Sequence, residues 1–360
     1  MRAQLLPQRH AAGAAQQIQN KSQLGRAREV VLPVRAGTAN GRRDNKERIC
    51  RGIKILPQAF YRTKVNLKRM TENREKLRRY LEKIGDRLEF SPAGVFNDVA
   101  RAVYHEYVRA RYSDVLKKNA SLKNIYSEND RCFLVGNGPS LVRQDLSLLA
   151  NEHVFVVNWF HKHKLYHKIS PEYHVHIAPL FPDFFWGGIS SKQLGWRREL
   201  EEAIAKTRGR TKLFLSLNQI EQVAKNRLFK NVDVYYLLPS LAMERWGIRK
   251  IDLTGGIPSR INSIYLCMLM AYYMGFRKMI LIGCDCSLAA GTSYTHFYGP
   301  EPDSPPKVTP EQALKYSSEL FKGYRIIGNF LASKGCKVYN ATDGGFLEVF
   351  PRVKYEQLFK

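Results

Sequence analysis

From Arg131 onward the chain falls into short apolar runs, CFLVG, VFVVN, YHVHIA, KLFLSL, VDVYYLL, MILIG and KVYN, separated by longer stretches of mixed polarity. Short apolar runs alternating with helical spacing predict βαβ units. The expected fold class is therefore α/β, a Rossmann-like, mainly parallel sheet with helices on both faces. The longest apolar stretch, Ile261 to Phe276, lies between Arg260 and Arg277. It is shorter than the roughly 20 residues a membrane span needs, so it reads as a buried helix. Upstream, NLKRMTENREKLRRYLEKI sets Leu67, Met70, Leu77 and Leu81 at helical spacing, and a second helix is expected from Ala93 to Lys118, with Val95, Val99, Val103, Tyr107 and Val108 near one side. These form a basic helical arm over residues 60–128, ahead of an α/β domain over 129–360. Residues 1–48, rich in Arg, Gln, Ala and Gly with no sustained apolar period, read as a disordered basic segment. Their Arg-rich, acid-poor make-up also resembles a mitochondrial transit peptide, but the mixture of Pro and Gly spoils a clean amphipathic helix.

Composition narrows the partners more than the fold. In 360 residues, 44% hydrophobic content supplies an ordinary globular core, while a formal net charge of +26 draws the molecule toward polyanions. Nucleic acid, an anionic membrane surface and a phosphorylated glycolipid all satisfy that charge. A nucleic-acid-binding module is the least expected of these, because the sequence lacks interleaved aromatic and basic positions on its strands and carries much of its basic charge outside the α/β domain. The arm instead suits peripheral contact with an anionic inner membrane. Cys50, Cys132, Cys267, Cys284, Cys286 and Cys336 are scattered, and the lone Cys284/Cys286 pair lacks a second ligand pair. Reduced cysteines and the lack of a secretory apolar region make the cytoplasm the expected compartment.

In a parallel α/β sheet, ligands bind beyond the carboxyl ends of the strands, so the residues that end each run carry the chemistry. The first run ends in Gly136, Asn137, Gly138, Pro139 and Ser140. The glycines allow close backbone approach to a ligand, and Ser140 is expected to cap a helix whose amides face an anion. This pattern matches neither the dinucleotide fingerprint nor the Walker A loop. The second run ends in Asn158 and the fourth leads through Ser216 to Asn218. Amides and hydroxyls there read sugar hydroxyls and base edges, although each also fits an ordinary turn. Asp285 follows the MILIG run directly, and the loop beyond it holds Tyr294 and His296. A carboxylate at a strand end with His and Tyr nearby is an acid/base grouping. His161, His163, His167, His174 and His176 have no carboxylate or Cys at ligand spacing, so no metal is expected.

The GNGPSL turn, the VVN after it and RINSIYLCMLMAYYMGFRKMILIGCD resemble the bacterial CMP-sialic-acid-dependent sialyltransferases of lipo-oligosaccharide synthesis. Together with KGCKVYNAT, they also resemble the MptE-like domain of motility accessory factors and archaeal 6-hydroxymethylpterin diphosphokinases. The resemblance spans about Arg131 to Phe350 and is thin between Phe181 and Leu253. It implies that Gly136, Asn137, Gly138 and Ser140 hold nucleotide phosphate and ribose with Asn158 nearby. Ser263 and Gly283 would line the donor pocket, Arg260 would face the acceptor or donor carboxylate, and Tyr294 would assist departure of the phosphate. Ser287 stands where those enzymes carry a second Tyr, and PEPDSPPKVTPEQA offers no His where theirs holds the base, which leaves His296 or Asp285 for that role. The expected activity is a glycosyltransferase of surface-glycan (lipopolysaccharide) synthesis, moving a sugar such as a nonulosonic acid from a CMP donor to a glycan or glycolipid acceptor without a cofactor. The alternative is an MptE-like diphosphokinase using ATP and Mg²⁺. Related sialyltransferases form oligomers, so the resemblance points to a homo-oligomer, while the residues themselves leave the oligomeric state open.

Overall fold

The chain divides into two compact units, Met1–Asp86 and Arg87–Lys360. The structure is a computed structural model that describes residues 105–177, 191–207, 211–240, 247–258, 262–290, 296–299 and 308–360. The first unit, with the expected disordered segment and the helix over 66–84, lies outside the described residues.

Eight strands form one sheet: β1 Arg131–Val135, β2 His153–Val157, β3 Tyr173–His176, β4 Lys212–Ser216, β5 Asp233–Ser240, β6 Gly256–Pro258, β7 Lys278–Ile282 and β8 Lys337–Asn340. Their order is β6-β5-β4-β3-β2-β1-β7-β8 and every neighbouring pair is parallel. All seven runs read from the sequence are strands. The eighth, β6, escapes the pattern because Gly-Ile-Pro offers one apolar side chain and no period.

Alternation along the strands builds two apolar layers. Leu134, Phe155, Val175, Phe214 and Leu281 face one side, where α3 (Ser263–Met274) and α4 (Pro310–Ser333) cover them. Phe133, Val156, Leu213 and Ile280 face the other, beneath Leu146, Tyr166 and the Leu200 and Ile204 side chains of α2 (Ser191–Ala205). The apolar stretch foreseen as a buried helix is α3. Asn262 starts it by accepting the Ile264 N–H at 2.7 Å, and Gly275 at φ 114° ends it. A capping box of Thr309 and Gln312, with Pro310 in the first turn, starts α4.

The helix expected to continue to Lys118 is broken. Residues 105–111 are helical, Tyr112 leaves the helix at φ −111° and ψ 23°, and α1 (Ser113–Lys117) resumes before a 3₁₀ turn, Lys118–Leu122. The interruption accompanies docking on the sheet. Val108 and Leu116 pack on Leu217 and Leu238, Tyr112 hydrogen-bonds Glu221 at 2.8 Å, and the buried Asn119 donates to the carbonyls of Tyr236 and Leu253. Among the described residues no helix is long and apolar enough to cross a membrane.

Candidate functional site

β1 is where the sheet order reverses, with β2 through β6 laid down on one side and β7 and β8 on the other. β1 and β7 therefore lead to opposite sides of the sheet, and the carboxyl ends at such a switch point are where parallel α/β sheets form their ligand crevice. The glycine turn and Asp285 meet in this crevice.

The turn continues the ladder, with the Gly136 N–H donating to Ile282 O at 2.8 Å and the Gly138 N–H to Gly283 O at 2.8 Å. A Cβ on Gly138 would stand 1.6 Å from Asp285 Oδ2 and 2.7 Å from Gly283 O. Only hydrogen fits there. Pro139 and Ser140 open a 3₁₀ helix, Pro139–Arg143, that has no side-chain cap. The helix-capping serine expected from the sequence is spent differently: fully buried Ser140 donates its N–H to Asp285 Oδ1 at 3.1 Å and its hydroxyl to Oδ2 at 2.7 Å. The anion on these donors is thus the protein's own carboxylate.

Asp285 is 7% exposed, and its main-chain carbonyl accepts the Phe346 N–H at 2.8 Å. Burial pushes its carboxyl above the ordinary aspartate range, against the opposing pull of the Ser140 bonds and of Arg143. An acid whose folded-state value is raised contributes stability below its unfolded value and loses it as pH rises through the raised one. Melting temperatures of wild type and Asp285→Asn, compared over a pH series from acid upward, are therefore expected to diverge in the variant's favour across that window and run parallel above it. A constant difference at all pH values would refute the assignment.

Asn137 ties the turn to β2, its Nδ2 donating to Val157 O at 3.1 Å, while its buried Oδ1 has no partner. Its carbonyl accepts the Phe297 N–H at 3.0 Å, which draws the loop holding His296 against the turn. His296 is half-buried and stacks on Tyr298 with ring centroids 5.0 Å apart. Asn158, in the left-handed region at φ 48°, accepts the Ser263 hydroxyl on Oδ1 at 3.3 Å, at the amino end of α3. Gly136, Asn137, Gly138, Pro139, Ser140, Gly283 and Asp285 thus form one cluster, with Asn158, Ser263 and His296 attached to it. Ser216 and Asn218 stand apart, at the carboxyl end of β4 and in the 3₁₀ turn that follows it. The Ser216 hydroxyl and both Asn218 amide atoms are buried without partners. Arg260 and Tyr294 lie outside the described residues.

Between the two groups stand residues that sequence reasoning considered only as metal ligands or not at all. His174 Nε2 faces Asn158 O at 2.8 Å and must carry the proton, so Nδ1 accepts from the Tyr166 hydroxyl at 3.0 Å. Burial keeps the neighbouring imidazoles neutral, pulling His161 down to about 4 and His176 to about 3. Both ring nitrogens of His161 and Nδ1 of His176 are buried without hydrogen-bond partners. The buried Arg197 donates to Gln219 Oε1 at 3.1 Å. Alternation of His174 and His176 along β3 was the available signal; the approach of His161 and Arg197 was not visible in spacing. Among the described residues no three His, Cys, Asp or Glu side chains gather into a cluster that could hold a metal ion. Asp285 spends both oxygens on Ser140.

No family model and no curated protein matches this chain. The MptE-like resemblance therefore rests on its motifs alone. Among solved structures, a Maf glycosyltransferase from Magnetospirillum magneticum AMB-1 aligns at 13% identity and TM-score 0.40, over 68% of this chain and 38% of that one. The chain thus spans well under half the length of that protein. The sialyltransferase CST-II, solved in complex with a trisaccharide acceptor and CMP, aligns at 17% identity and TM-score 0.33, over 62% of this chain and 86% of that one.

Proposed function

We propose that the crevice between β1 and β7 binds the nucleotide half of a sugar donor, of the CMP type, and that the protein transfers the sugar to a glycan hydroxyl. The observation that carries this reading is Asn137. Its Oδ1 is buried and unpaired at the point where the sheet order reverses, while its other polar atoms tie the turn to β2 and to the loop bearing His296. An unpaired buried amide oxygen costs about 1–3 kcal/mol, and a ligand N–H or O–H recovers that cost once the crevice opens to it.

In this reading the turn from Gly136 to Ser140 and the Asn158–Ser263 pair receive phosphate and ribose, near the positive end of α3. Asp285 acts by fixing the turn. With both oxygens occupied by Ser140 it is a poor acceptor for a substrate proton, so His296, half-buried beside the turn, is the base that takes the proton from the acceptor hydroxyl. Tyr294 and Arg260 are assigned to the leaving phosphate and to the acceptor or donor carboxylate through the resemblance alone.

Thermal melts with CMP, CMP-sialic acid, UDP, GDP and ATP, each with and without Mg²⁺, test the proposal. A ligand at 100 times its Kd stabilises the native state by about 2.7 kcal/mol. Cytidine nucleotides are expected to raise the melting temperature without metal, and Asn137→Ala to abolish most of that rise while costing the free protein only about 1 kcal/mol for its lost bond to Val157 O. A rise only with ATP and Mg²⁺ would replace this reading with the diphosphokinase.

A further inference from the structure

Next to the crevice, on the face that carries Tyr166, lies a groove of about 570 Å³ walled by Leu141, Gln144, Lys162, His163, Lys164 and Phe297. Two of its walls continue the crevice: Leu141 follows Ser140, and Phe297 is held to the Asn137 carbonyl and follows His296. The Phe297 ring packs on His163 and Phe160, with centroids 5.1 and 5.9 Å away. A molecule in the groove therefore lies within one residue of the turn at one end and of His296 at the other.

The groove's charge is unbalanced. Arg143 at its lip is neutralised by Asp343 at 2.5 Å, and Asp145 accepts the Ser147 N–H and lies near Lys168. Lys162 and Lys164 are exposed, and among the described residues no carboxylate pairs with either. Lys162 Nζ instead sits 4.7 Å above the Trp159 ring. In the wall, Gln144 is 8% exposed; its Nε2 donates to Ala341 O at 2.8 Å and its Oε1 has no partner. Two exposed ammonium groups with no carboxylate partner among the described residues suit an anion, and a buried unpaired amide oxygen suits a hydroxyl. Both are met by one class of molecule, a phosphorylated sugar.

We propose that this groove is the acceptor subsite and that it selects a glycan carrying a phosphate group, the phosphate between Lys162 and Lys164 and a sugar hydroxyl on Gln144. The assignment as acceptor rests on the donor reading of the crevice; the phosphate preference does not. The test compares full-length wild type with Lys162→Ala/Lys164→Ala. Titration calorimetry uses glucose 6-phosphate and lactose 1-phosphate against glucose, lactose and inorganic phosphate. CMP melting shifts and sedimentation with phosphatidylcholine vesicles, with and without phosphatidylglycerol, are measured alongside.

The wild type is expected to bind the phosphorylated sugars more tightly than either the neutral sugars or inorganic phosphate, with affinity falling as salt rises. The double variant should lose about tenfold of that affinity while its CMP shift is unchanged. Equal binding of phosphorylated and neutral sugars overturns the proposal, as does a preference that survives the double substitution. A variant that keeps the sugar-phosphate preference but loses vesicle binding makes the patch a membrane contact instead. Absence of a CMP shift in the wild type counts against the donor reading only, since sugar-phosphate binding is read separately.

Discussion

Gly138→Ala is expected to destabilise the protein by about 3 kcal/mol or more, a fall of roughly 10 °C in melting temperature. The backbone at this position, φ −62° and ψ 154°, is ordinary extended chain that alanine adopts without strain. The cost is wholly in the methyl group, which would sit 1.6 Å from Asp285 Oδ2. The carboxylate has nowhere to retreat, because Ser140 holds both oxygens and the Phe346 N–H holds the carbonyl of the same residue. Pushing it aside strands the buried Ser140 donors as well. In an Asp285→Ala background the main obstacle is gone, so the second substitution should cost less than it does alone, a coupling of about 1 kcal/mol or more. Strict additivity in urea unfolding would show that the carboxylate is not the obstacle.

Gly345→Ala presses on the same residue from the other side, with an expected loss of about 3 kcal/mol. Gly345 holds φ 77°, where a side chain costs about 1–2 kcal/mol, and its Cβ would lie 2.6 Å from the Asp285 carbonyl oxygen and 2.7 Å from its Cα. Backbone atoms cannot swing clear as a flexible side chain can. Gly344 provides the comparison, because it shares the positive φ at 78° yet its Cβ would meet only Arg143 Nη2 at 3.7 Å. Gly344→Ala should therefore cost only the dihedral term. Equal losses at the two positions in denaturant unfolding would show that contact with Asp285 contributes nothing.

The strands were legible because burial on both faces turns each into a short apolar run, as in FLV of β1 or MILI of β7. The ends of those runs named the crevice residues for the same reason. What the sequence could not disclose is which partner each would take. Ser140 and Asp285 are 145 positions apart, and nothing local distinguishes a serine that caps a helix from one that binds a distant carboxylate. The helix that Ser140 is expected to cap is instead two 3₁₀ pieces, Pro139–Arg143 and Leu146–Asn151, the second capped by Asp145. His161 and Arg197 approach the histidines of β3 from a 3₁₀ turn and from α2, whose placement depends on tertiary packing rather than on period.

The central position of β1 also governs how the protein is born. Its partner on one side, β2, is synthesised almost at once, but β7 on the other follows only after all of β3 to β6. At about 5–20 residues per second, the 145 residues between Ser140 and Asp285 take roughly 7–30 s to emerge. Throughout that interval the β7-facing edge of β1 has no partner strand, and an unpaired apolar edge is a template for aggregation. The crevice between β1 and β7 cannot exist on the ribosome until that wait is over.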